Sequence, residues 1–132
     1  MTMPLKELVL TENPQVHIYA YEHSETRCDF EEFMEELDEK TQEEFVARLT
    51  MLSENGVASL PSKIFHIAGD HVQGYTMYRL AVQRYRLYMG VNSEKVIIII
   101  THGAMKKTQK TDERDKAFFK NCIKRLNREQ EK

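Results

Sequence analysis

The chain has 132 residues, of which 41% are hydrophobic and 30% are charged, and its formal net charge is −2. This composition is typical of a folded protein rather than a disordered one, and the length suits a single domain spanning residues 1–132. The longest apolar run, residues 96–100, is too short to span a membrane, and the two cysteines form no disulfide framework and no metal motif. We therefore predict a cytoplasmic protein that uses no cofactor.

The two halves of the chain carry opposite charges. Residues 1–60 contain four Lys and Arg against 14 Asp and Glu, which gives a net charge of −10. Residues 61–132 contain 15 Lys and Arg against seven Asp and Glu, which gives a net charge of +8. Such asymmetry suggests a binding partner of one sign and a separate surface of the other.

The acidic half predicts one strand followed by two helices. Residues 16–21 alternate between apolar and polar side chains, as a short strand does. In residues 29–37 the apolar positions follow a helical spacing, and Asp29 is the expected N-cap. A capping box at residues 41–44 begins a second helix, which ends at residues 55–56. We interpret the many acids of this predicted helical hairpin as solvated faces rather than as a cation site.

The basic half predicts three or four strands and one helix. Residues 63–67 are short and strand-like, residues 75–82 and 84–89 alternate, and residues 96–101 are apolar on both faces. Thr111 and the acids after it begin a last amphipathic helix. The strand connections are too short for parallel crossovers. We therefore predict an α+β fold, in which an antiparallel sheet of four to five strands carries an N-terminal helical hairpin on one face, together with a C-terminal helix. The last three strands should be adjacent.

Arginine and tyrosine are concentrated between residues 78 and 88. On a strand, Arg84, Arg86 and Tyr88 share one face because side chains alternate with a period of two. Two guanidinium groups beside an aromatic ring suit a phosphate backbone and a stacked base. The alternative is a solvated outer face of the sheet, which is the commoner role of exposed charges.

Basic residues also follow the buried strand. Lys106, Lys107 and Lys110 could neutralise phosphates, or they could only solubilise a surface connection. His102 ends the strand and could act as a general acid or base near neutral pH, or it could simply bond to the backbone. The remaining histidines lack the mutual spacing of metal ligands, so we predict no metal site.

Several short motifs follow one another in a characteristic order between residues 45 and 125. They are a leucine and glycine segment that ends in Leu60-Pro61 and Lys63, then MYRL at 77–80, YRLY at 85–88, THG at 101–103 and KKTQKT at 106–111. In this order the chain resembles the RelE/ParE superfamily of bacterial toxins, in its phage-derived, HigB-like branch. It departs from that branch at Asp112, where a proline is usual.

The resemblance implies a RelE-like fold and the toxin of a type II toxin–antitoxin system. RelE-like members cut messenger RNA, mostly on the ribosome, by helping a ribose 2′-hydroxyl attack the adjacent phosphate without a metal. The implied partners are a cognate antitoxin of helix-turn-helix type, messenger RNA and the ribosome. One alternative is a ParE-like toxin that inhibits DNA gyrase, and another is an inactive RNA-binding or protein-binding module of the same fold.

The resemblance also assigns candidate site residues. Arg79 and Arg86 match arginines on strands of the family, Lys63 matches a basic residue before a loop, and Lys106 and Lys107 match a lysine pair. The expected catalytic residues are Arg79, Arg86, His102 and Lys107. The expected RNA-binding residues are Lys63, Arg84, Tyr88, Lys106 and Lys110.

Overall fold

The structure is a computed structural model that describes residues 4–106 and 111–130. Six strands and three helices follow one another in these ranges, with one 3-10 turn at Val57–Ser59. The strands are β1 (Leu5–Leu8), β2 (His17–Tyr21), β3 (Phe65–Val72), β4 (Tyr75–Val82), β5 (Tyr85–Asn92) and β6 (Ile97–Met105). The helices are α1 (Asp29–Glu35), α2 (Glu39–Asn55) and α3 (Glu113–Gln130).

The strands form one mixed sheet in the order β1-β2-β6-β5-β4-β3. β4, β5 and β6 are adjacent and antiparallel, which confirms the predicted arrangement of the last three strands. Gln83 takes a positive φ of 54° in the two-residue turn that joins β4 to β5. β2 and β6 pair in parallel, with His17 opposite Ile97.

The prediction of four to five antiparallel strands is therefore wrong in two respects. β1 was not predicted, because its sequence LKEL is short and half charged. The parallel pair was excluded on the shortness of the connections, but that argument holds only between consecutive strands. Two helices and three strands separate β2 from β6 along the chain, which is ample length for a crossover.

The predicted N-terminal helical hairpin also differs from the structure. Two strands precede the helices, and α1 packs chiefly on β6 whereas α2 packs on β4. Asp38 caps α2 by accepting a 2.7 Å hydrogen bond from the backbone nitrogen of Thr41. α3 lies on the opposite face of the sheet, against β3, β5 and β6.

The sheet therefore has a core on each face. Apolar side chains of α2, such as Phe45 and Leu49, pack with Ile98 and Ile100 on one face. Phe119 and Ile123 of α3 pack with Met77 and Tyr88 on the other. Within residues 4–106 and 111–130, no helix is long and apolar enough to cross a membrane.

Candidate functional site

An open basic groove of about 700 Å³ lies beside the β3–β4–β5 end of the sheet. Its walls come from α2, from the segment before β3, and from β3, β4, β5 and the β4–β5 turn. Four of the lining side chains are Lys or Arg and one is a histidine. The lining residues are Arg48, Ser62, Lys63, Ile64, His66, Arg79, Ala81, Gln83 and Arg86.

Two buried arginines form the centre of this groove. Arg79 faces Tyr88 and Arg86 faces Ala81 in the β4–β5 ladder, so the two arginines are diagonal neighbours on one face. Arg86 is held in place because its Nη1 donates hydrogen bonds to the carbonyl oxygens of Gln83 at 2.7 Å and Tyr85 at 2.9 Å. The resulting pair of cations is well placed to receive an anion.

The electrostatics of the arginine pair also favour the binding of an anion. Burial and the like charge of Arg86 lower the pKa of the Arg79 guanidinium below its usual range. A phosphate bound in the groove would favour the charged form and relieve the repulsion between the two groups. The groove therefore has the chemistry of a phosphate-binding site.

His66 lies directly opposite Arg79 in the β3–β4 ladder, and its side chain is half-buried. Its Nδ1 is 2.6 Å from the carbonyl oxygen of Ser62. A carbonyl oxygen can only accept a hydrogen bond, so Nδ1 carries the proton of this contact. In the neutral ring, Nε2 then keeps its lone pair and can accept a proton beside the arginines.

Arg48 was missed by the sequence reasoning because it lies in the acidic half of the chain. It belongs to α2, donates through Nη1 to the carbonyl oxygen of Ala81 on β4, and has Nη2 3.6 Å from the carboxylate of Glu44. Residue 48 lies three positions after Phe45 and four before Leu52, on the apolar side of the helix. That spacing was the available signal that Arg48 points toward the sheet.

His102 lies outside the groove, in a buried cluster under α3. Its Nε2 is 3.0 Å from Oδ1 of Asp115, its Nδ1 is 2.9 Å from the Thr101 hydroxyl, and its ring stacks on Tyr88. A bulge in β6 causes this placement, because Tyr88 pairs with His102 while Met89 pairs with Ile100. The inserted Thr101 reverses the alternation and turns His102 toward α3.

Lys106 belongs to the same buried cluster. Its ammonium donates to the carboxylates of Asp112, at 2.8 Å, and Asp115, and its side chain is only 10% exposed. Burial would lower its pKa, but the two carboxylates raise it above the usual range. The amine that was expected to bind RNA therefore ties the end of β6 to the beginning of α3. Asp112, the departure from the branch pattern, is one of its two partners.

Of the other predicted site residues, some line the groove and others do not. Lys63 lines the groove. Arg84 is exposed in the β4–β5 turn and lines no part of the groove, and Tyr88 is fully buried beneath α3, which corrects the idea that it stacks on a base. Lys107 and Lys110 lie outside the described residues. In the part of the chain that the structure describes, no cluster of three or more His, Cys, Asp or Glu could hold a metal ion.

Fold and groove together define a small α+β protein with a basic groove at one end of its sheet. The chain matches the family model described as phage derived protein Gp49-like over residues 32–124, which is more than half of its length. It therefore belongs to the Gp49-like family of phage-derived proteins, a family of RelE-like toxins.

The chain was also compared with solved structures and with curated proteins. The crystal structure of the archaeal RelE–RelB complex from Pyrococcus horikoshii OT3 contains a similar chain, with 16% sequence identity and a TM-score of 0.49. That similarity covers 59% of this chain and 86% of the archaeal one. Among curated proteins, no sequence matches this chain.

Proposed function

We propose that this protein is the toxin of a type II toxin–antitoxin pair, of the HigB-like branch, and that it cleaves messenger RNA on the ribosome without a metal. The observation that carries the proposal is the pair of buried, adjacent arginines at the centre of a basic groove, with a histidine next to them. Membership of a family of RelE-like toxins supports the same function.

The proposed reaction is attack of a ribose 2′-hydroxyl on the adjacent phosphorus. The bond from the 2′-oxygen to phosphorus forms and the bond to the 5′-oxygen breaks, which leaves a 2′,3′-cyclic phosphate and a 5′-hydroxyl that takes a proton from solvent. Arg79 and Arg86 stabilise the negative charge that develops on the non-bridging oxygens. Lys63, exposed at the groove, binds the neighbouring backbone phosphate.

His66 takes the role of general base in this proposal. Its Nε2 keeps a lone pair in the neutral ring and stands on the strand next to Arg79, so it can remove the proton of the 2′-hydroxyl. His102 is the weaker candidate, because both of its ring nitrogens contact buried side chains and none of its atoms lines the groove. Its proposed role is to hold Asp115 and so position α3.

The proposed partner is a cognate antitoxin of helix-turn-helix type, as the family resemblance implies. This part of the proposal is tested by co-expression with the neighbouring gene product. Growth arrest that the co-expressed protein relieves, together with co-purification of the two chains, is the expected result.

The deciding experiment is tightly controlled expression of the parent protein, followed by growth measurement and primer extension on a translated message. We expect growth arrest and discrete cuts in the translated message. Arg79→Gln and Arg86→Gln should abolish both effects, whereas Arg114→Gln, an exposed arginine of α3, should leave them intact. A parent protein that arrests growth but leaves RNA whole would instead favour gyrase inhibition.

A further inference from the structure

The acidic half of the molecule carries a second groove, which the proposed nuclease does not use. It has a volume of about 490 Å³ and lies between the end of β1, α1 and α2. Most of its lining is apolar, three glutamates complete it, and no Lys or Arg is among the described residues that line it. The lining residues are Leu8, Val9, Leu10, Phe30, Met34, Val46 and Leu49, with Glu7, Glu31 and Glu35.

This second groove exposes apolar surface to water. Its floor includes Phe30 and Leu49, which are buried and belong to the core. At its edge, Val9 is 80% exposed and Val46 is 44% exposed. Concave apolar surface that is open to solvent marks a place where another molecule docks.

The charge of the surroundings indicates which kind of molecule. Glu31 is paired with Lys6 and Glu7 lies 3.1 Å from His17, yet residues 1–60 as a whole carry a net charge of −10. An apolar groove with an acidic border complements an apolar stripe flanked by Lys and Arg. On a helix, such a stripe recurs at spacings of three and four residues, which is the usual way a helix enters a groove.

We infer that this groove docks a basic amphipathic helix of another protein. A second copy of this chain is a poor source of that helix. Its own basic amphipathic helix, α3, already buries Phe119, Ile123 and Leu126 against the sheet, so the apolar face is not available without unfolding. The inference concerns a different surface from the arginine groove, although α2 contributes Val46 and Leu49 to one and Arg48 to the other. It does not depend on RNA cleavage.

The test uses the full-length ¹⁵N-labelled protein and a synthetic helix of about 18 residues made of Leu and Lys, long enough to be helical. In the active peptide the leucines lie on one face. A scrambled peptide of the same composition distributes them around the helix, and a third peptide replaces every Lys with Glu. We expect amide shifts at α1, α2 and the end of β1, and binding at least about tenfold tighter for the active peptide than for either control.

Variants of the protein complete the test. Val46→Asp and Glu35→Lys should each weaken binding of the active peptide about tenfold, because they place a charge on the apolar edge or reverse a charge of the border. The matched substitutions Val96→Asp and Glu94→Lys change equally exposed residues of another region and should leave binding within about twofold. Val9→Asp also places a charge on the apolar edge of the groove. Because Val9 lies outside any helix or strand, this substitution should not disturb folding.

Three results would overturn the inference. The first is an amide-shift map centred elsewhere on the protein, and the second is equal binding of the active and scrambled peptides. The third is unchanged affinity in both Val46→Asp and Val9→Asp. None of these readouts involves RNA. A negative result here would therefore not contradict the proposed RNA cleavage, and a protein that does not cleave RNA would not contradict the docking groove.

Discussion

Replacing Arg86 by lysine tests the proposed site most sharply, because it keeps the charge and removes the geometry. In the structure one nitrogen of Arg86 binds two carbonyl oxygens, at 2.7 and 2.9 Å, and the side chain is only 4% exposed. A lysine ammonium is a point charge that cannot keep both bonds and also present a planar edge to a phosphate.

The expected magnitudes follow from these contacts. Loss of one preorganised group that stabilises transition-state charge should slow RNA cleavage by about 100-fold or more. Loss of two hydrogen bonds of about 1 kcal/mol each should lower the free energy of unfolding by about 2 kcal/mol. RNA affinity should change little, since the charge remains and Lys63 and Arg79 still line the groove.

The assay is single-turnover cleavage of messenger RNA on programmed ribosomes at saturating protein, with affinity for a short RNA measured by fluorescence anisotropy and stability by urea unfolding. Arg84→Lys is the matched control, because Arg84 is an exposed arginine in the turn just before β5. If Arg86→Lys cleaves RNA within roughly threefold of the parent while folded, Arg86 does not stabilise the transition state and the proposed role is wrong.

Three further outcomes are expected. His66→Gln should slow cleavage about 100-fold at unchanged RNA affinity, and a loss of affinity instead would make His66 a binding residue only. Gly103→Ala should lower the urea midpoint, because the added Cβ would lie 2.3 Å from Cγ of Phe33, and Phe33→Leu in the same chain should restore part of the loss. Lys106 holds the pKa of Asp112 to about 2, so the free energy of unfolding should fall as the pH drops from about 4 to 2, and urea titrations should show a smaller fall in Asp112→Asn.

Three strands of the basic half could be predicted from their local patterns, whereas β3 (Phe65–Val72) extends beyond the predicted residues 63–67. Residues 98–100 are three consecutive isoleucines that are all fully buried, as in a β-branched strand covered on both faces. The predicted strands 75–82 and 84–89 are almost contiguous, so antiparallel pairing was the only short connection available. The structure places two residues between β4 and β5. Local periodicity and loop length were sufficient for this part of the fold.

The residues of the candidate site were only partly predictable, because their exposure depends on which part of the sheet face α3 covers. Arg86 and Tyr88 do share a face, as alternation requires, but α3 covers Tyr88 and leaves Arg86 at the groove. The position of α3 is a tertiary property that no strand pattern encodes. The bulge at Thr101 was equally hidden, because one inserted residue reverses the direction of His102 without leaving a signature in composition.

The division of that sheet face has a consequence for how the protein could be switched off. Arg79 stands on the same strand as the buried Met77 and Leu80, and Arg86 stands next to the buried Leu87. Local melting of the arginine pair would therefore expose core side chains and would cost much of the stability of the whole domain. If the proposed antitoxin neutralises the proposed toxin, it gains little by unfolding this site. Filling the groove, or blocking its access to RNA, requires less free energy.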